Sequence, residues 1–130
     1  MSGEENKAIV RRYLEEIWNS GDLEVAHEIV TPAVVLRSSL RHMEGLEAFK
    51  EFVAVVRTVF PDIHFTTEDL IAQGDEVAAH WTMTGTQEGD FMGMAATGKH
   101  FIVPGVSILR LSEGKVAEAW LLWDPLNLME

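Results

Sequence analysis

The hydrophobic period of this chain changes once, at Phe60-Pro61-Asp62, and that single change restricts the fold more than any other feature. Before it, apolar residues recur every three or four positions, as on one face of a helix; after it they alternate, as on strands. A first helix is predicted over about residues 4 to 20. Ser2 and Glu5 have capping-box spacing, and Ile9, Val10, Tyr13, Leu14, Ile17 and Trp18 form one face. Asn19-Ser20-Gly21 ends it. Asp22 is placed to cap a short helix through Val30, which stops at Thr31-Pro32 because a residue before proline avoids helical angles. A brief strand from Val34 to Ser39 follows, then a helix from about Gly45 to Phe60 with Leu46, Phe49, Phe52, Val53, Val56 and Phe60 on its stripe. Beyond Pro61, strands are predicted at about 63–73, 76–87, 99–112 and 115–124, with turns at Gly74-Asp75 and Ser112-Glu113-Gly114. Helices first and a long antiparallel meander second read as one α+β domain over residues 1–130, with helices on one face of a curved sheet.

The last two strands are apolar on both faces. Phe101, Val103, Gly105, Ser107, Leu109 and Leu111 alternate with Ile102, Pro104, Val106 and Ile108, and Ala117, Ala119, Leu121 and Trp123 alternate with Val116, Glu118, Trp120, Leu122 and Asp124. One layer of helices covers only one side of a sheet. The other side is therefore expected to bury itself in a homodimer, through Val106, Ile108, Trp120 and Leu122.

Composition removes several function classes. The formal net charge of −11 repels phosphate backbones and anionic lipid, so neither nucleic acid nor membrane is an expected partner. The chain has no cysteine, which excludes disulfides, thiolate metal sites and a cysteine nucleophile. Its N-terminus lacks a basic region followed by an apolar run, and no stretch of some 18 apolar residues follows. A soluble, cytoplasmic protein is expected.

Short motifs spread along the chain carry a family resemblance. They are Glu5-Asn6-Lys7, Trp18-Asn19-Ser20-Gly21-Asp22, Phe60-Pro61-Asp62, the run from Glu68 to Asp75, Gly85-Thr86, Phe91-Met92-Gly93-Met94 with Thr97-Gly98, and Glu113-Gly114-Lys115. In order and spacing the chain resembles the SnoaL-like polyketide (ester) cyclases of the NTF2-like superfamily. The resemblance implies a cone in which N-terminal helices pack on a strongly curved, mainly antiparallel sheet around an apolar pocket. Family members close polyketide rings by intramolecular aldol chemistry with neither metal nor cofactor, and none is expected here.

An aldol closure needs a base beside a carbonyl and hydrogen-bond donors where an enolate develops. In the family that acid/base is an aspartate on the last strand, assisted by a histidine on the strand before. Aligned through Glu113-Gly114-Lys115, the resemblance sets Leu121 at the aspartate position and Ser107 at the histidine position. Two further polar positions fall on Leu36 and Gly105. Leucine neither takes nor gives a proton, so any chemistry uses another group or relies on shape and proximity. Ser107, facing the pocket, and Asp124, three residues beyond Leu121, are the catalytic candidates. The expected lining is Tyr13, Trp18, Leu36, Phe52, Val56, Trp81, Met83, Phe91, Met92, Met94, Gly105, Ser107, Ala119, Leu121 and Trp123. The small residues Gly105, Ser107 and Ala119 are expected to leave volume for a ligand.

His80 alternates with Trp81 and Met83 and belongs to the dimer face or the surface. His27, His42, His64 and His100 show no metal-ligand spacing. Arg37 and Arg41 read as solvated charges, with a clamp at the pocket mouth as the alternative. The resulting expectation is a cofactor-independent cyclase or isomerase acting on a small apolar, polyketide- or terpenoid-like molecule. The alternatives are a non-catalytic carrier of such a ligand, or a pocket engineered on this scaffold.

Overall fold

The capping box at the N-terminus forms: the Glu5 amide donates to Ser2 Oγ (3.1 Å) and the Ser2 amide to Glu5 Oε1 (3.0 Å). It starts helix α1 (Gly3–Arg12) in the computed structural model, which describes residues 2–38, 42–90 and 95–123. Where the sequence predicts one regular helix to residue 20, the turns widen into a π-helical segment over Tyr13–Asn19. There the Ser20 amide reaches back five residues to the Glu15 carbonyl (3.1 Å). Wider turns place Tyr13, Leu14, Ile17 and Trp18 together in the core.

The end of that segment is held from two sides. Arg57 donates to the Trp18 and Asn19 carbonyls (2.7 and 2.8 Å), supplying partners for the last turn. The Asn19 side chain accepts from the Phe65 amide (2.7 Å) and donates to the Phe65 carbonyl (2.9 Å), acting as one more strand partner. Gly21 has φ 70°, and a Cβ there would lie 2.4 Å from Arg57 Nε. Trp18 is thereby fixed against the sheet.

Helix α2 is shorter than predicted, Val25–Ile29, because Asp22 Oδ1 caps the preceding turn at Glu24 (3.2 Å) instead of the helix itself. The chain enters β1 (Val30–Ser38) directly, with a register shift between Val30 and Val35 that accommodates Pro32. A three-residue strand β2 (His42–Glu44), too short to announce itself by alternation, pairs antiparallel with β1. Helix α3 (Leu46–Val59) buries Phe49, Phe52, Val53 and Val56 as its stripe requires. Asp62 then ties the turn to the sheet, accepting from the Thr86 amide (2.7 Å) and hydroxyl (2.9 Å).

Strands β3 (His64–Gln73), β4 (Glu76–Thr86), β5 (His100–Ser112) and β6 (Lys115–Trp123) form the expected antiparallel meander. The six-stranded sheet runs β2-β1-β6-β5-β4-β3 and stays open. Among the described residues only β1 and β6 pair in parallel, which makes the sheet mixed. The fold is α+β, with the helices packed on the inner face.

In β6 a register shift opposite Arg110 and Leu111 moves the start of the strand out of phase. Val116, which simple alternation sets on the outer face, is consequently buried with Ala119. On the outer face Ile71, Ile102 and Leu122 are 68%, 66% and 45% exposed, and Val106, Ile108 and Trp120 are half-buried. No described element covers them.

Candidate functional site

Register brings the inner-face residues of the meander into rows. Trp81, Gly105 and Trp123 share one row across β4, β5 and β6; Ala79, Ser107, Leu121 and Ser38 share the next, which extends onto β1. Above them lie Trp18 and helix α3. Between helices and sheet is an apolar pocket lined by Trp18, Phe52, Val56, Phe60, Ile63, Phe65, Trp81, Met83, Leu121 and Trp123. Its aromatic walls interlock edge to face: Trp18 with Phe52 (6.0 Å) and Phe65 (5.5 Å), and Phe65 with Trp81 (4.8 Å). The space left at its centre is about 20 Å³, room for one water-sized molecule.

Of the expected lining, Trp18, Phe52, Val56, Trp81, Met83, Leu121 and Trp123 meet at this pocket. Tyr13, Leu36 and Ala119 are buried in the core away from its wall. Phe91, Met92 and Met94 of the loop, the catalytic candidate Asp124, and Arg41 lie outside the described residues. Phe60, Ile63 and Phe65 line it without having been foreseen. They sit where α3 gives way to β3: the helical stripe reaches Phe60 and the strand period begins at Ile63, but neither period says that the two ends meet at one pocket.

The small residues do not leave the expected volume. The Trp81 indole occupies the space over Gly105, where a Cβ would fall 2.3 Å from the ring. Its N–H donates to Ser107 Oγ (2.9 Å) in a fully buried hydrogen bond. Ser107 is 3% exposed and is not on the pocket wall. Its described role is to hold an aromatic ring.

No carboxylate, histidine or lysine is on the wall among the described residues. Burial pushes the Tyr13 hydroxyl up to about 12, only partly offset by the nearby Trp18 indole, so it remains protonated. Thr67, paired with Trp81 in register, has a buried hydroxyl with no hydrogen-bond partner. His80 and His100 are exposed, and His100 Nδ1 lies 3.3 Å from the Thr86 hydroxyl. Among the described residues no three metal-ligating side chains cluster. Arg37 points away from the pocket: it pairs with Glu118 and stacks over Trp120 (5.1 Å) on the outer face. Arg37, then Arg110 (2.8 Å), hold the Glu118 carboxylate below its usual range.

Helices over an open mixed sheet, closing on an apolar pocket, match one family along nearly the whole chain. The family model for the SnoaL-like polyketide cyclase matches residues 8–130. The chain belongs to the SnoaL-like polyketide cyclase family. Among its relatives is the aklanonic acid methyl ester cyclase DnrD of Streptomyces peucetius, 26% identical over 114 residues, 85% of this chain and 78% of that one. The structure of a protein from Jannaschia sp. CCS1, described as a SnoaL-like polyketide cyclase, is 31% identical with a TM-score of 0.91, covering 98% of this chain and 90% of that one. AclR from Streptomyces galilaeus, described as a hydroxylase, is 28% identical with a TM-score of 0.82, covering 98% and 95%. SnoaL-like proteins thus carry descriptions of more than one reaction on one scaffold, and the site must decide between them. No described helix of this SnoaL-like chain is long and apolar enough to cross a membrane.

Proposed function

We propose that this SnoaL-like protein is a cytoplasmic, cofactor-independent cyclase or isomerase acting on a small apolar, polyketide- or terpenoid-like molecule, with Leu121 standing where the family's acid/base aspartate would be. The observation that carries this reading is a pocket with Leu121 in its wall and, among the described residues, only apolar and aromatic side chains around it. Such a wall binds through area and shape. It contributes to a ring closure by holding the two reacting carbons of one substrate in contact, which replaces a search through chain conformations. In such a closure the enol carbon bonds to the carbonyl carbon. The enol proton ends on the new hydroxyl, carried by solvent or within the substrate, so no atom is gained or lost.

The same apolar and aromatic wall favours a second reading, a carrier that shields such a molecule without changing it. Incubation with apolar polyketide and terpenoid compounds, followed by native mass spectrometry and product analysis, separates the two. Ring-closed or isomerised product formed faster than in buffer supports the enzyme. Tight binding with unchanged ligand supports the carrier. Absence of binding to every compound refutes both.

The proposed partner is a second copy of the chain, seated back to back on the outer sheet face. Ile71, Ile102 and Leu122 expose apolar surface there, and Arg37, Arg110 and Glu118 satisfy one another in its midst. Two copies of a chain with net charge −11 meet with less repulsion where Arg37 and Arg110 together outweigh Glu118.

A further inference from the structure

Trp81 is the largest of the fully buried side chains among the described residues, and three contacts fix its ring. The absence of a side chain at Gly105 lets the six-membered ring settle onto β5, where a Cβ would come within 2.3 to 2.8 Å of three ring carbons. Ser107, two residues along the same strand, accepts the indole N–H at 2.9 Å. Phe65, from β3 on the other side of β4, meets the ring edge-on at 4.8 Å and 82°. Gly105 and Ser107 both face inward from the centre of the sheet. With a shorter residue at position 81 they would form a recess opening into the pocket, its floor carrying the buried Ser107 hydroxyl.

We infer that Trp81, laid over Gly105 and latched by Ser107, is the specificity-determining residue of this pocket: it fills the deep end and restricts the occupant to a slim, single-ring or acyclic apolar molecule. The side of the pocket that yields to a ligand is the opposite one. Leu121 and Trp123 are only half-buried, whereas the indole cannot swing without losing its hydrogen bond and exposing a buried donor. Fused-ring molecules need the depth that the indole occupies. Ser107 therefore acts through Trp81 as a positioning residue, not as a nucleophile. Its hydroxyl becomes available to a ligand oxygen only when the latch is broken.

This inference rests on the apolar-pocket reading above, and the test separates the two. Toluene and naphthalene are titrated calorimetrically into the wild-type protein, Trp81→Phe and Ser107→Ala, each first checked for cooperative thermal unfolding. Wild type is expected to prefer toluene over naphthalene by about tenfold or more, the scale on which apolar pockets discriminate size. Trp81→Phe shortens the plug and is expected to shift that ratio about tenfold toward naphthalene. Ser107→Ala, which leaves the volume but frees the ring, shifts it in the same direction by a smaller factor. A purely structural role for Ser107 would lower stability and leave the ratio alone. An unchanged ratio in both variants, with both probes bound, overturns the inference and leaves the apolar pocket standing. Failure of every protein to bind either probe overturns the pocket reading, and the inference with it.

Discussion

Gly105 and Ser107 take their meaning from one side chain on the neighbouring strand. As residues in a sequence they are two small positions on the inner face of a strand, and small positions read as space. The register pairs Trp81 with Gly105, and the space is already filled. Nothing in the alternation of β5 announces this, because it depends on which residue of another strand arrives opposite. By the same logic Ser107→Ala orphans a buried indole N–H, and the account predicts a loss of about 1–3 kcal/mol of stability. Urea unfolding followed by Trp fluorescence measures it; unchanged stability would mean that the hydrogen bond is not the ring's anchor. Leu121 and Trp123, by contrast, were legible in the sequence, since strict alternation from Ala119 carries them to the inner face. Asp124 and the loop methionines fall outside the described residues, and no structural account of them follows.

At the scale of elements, the order of helices and strands is the part that sequence reasoning reads well. Each long element has a period and a terminator: the capping box starts α1, Pro61-Asp62 ends α3, and glycine turns separate the strands. The features it missed are local departures from period. The π-helical segment, the bulge near the start of β6 and the three-residue β2 each break the regularity on which the reading depends. The first of these positions the pocket, because Asn19 and Arg57 dock its end and Trp18 follows. Asn19→Ala removes both side-chain bonds to the Phe65 backbone and leaves that edge of β3 unpartnered. A destabilisation of about 1–3 kcal/mol is expected, together with faster amide exchange at Phe65. Exchange at Phe65 as slow as in wild type would show that the strand end is held by something else.

For the whole molecule, the open sheet leaves one face under helices and the other bare among the described residues. The sequence foretells this two-sidedness, since β5 and β6 are apolar on both faces, but it does not say what covers the second one. If a second copy does, Leu122→Asp places a carboxylate in the contact and shifts a sedimentation-velocity profile from dimer to monomer. A wild-type protein that sediments as a monomer at tens of micromolar would rule that arrangement out.

The claim on which the functional account turns is that this cyclase scaffold presents a pocket that binds by shape and carries no titrating group. Toluene affinity measured by calorimetry from pH 5 to 9 tests it most directly. With Tyr13 pushed up to about 12 and no carboxylate or histidine on the described wall, the account predicts binding with a constant that stays flat across the range. Binding that rises or falls along a titration curve would reveal an acid or base in the pocket and contradict the account.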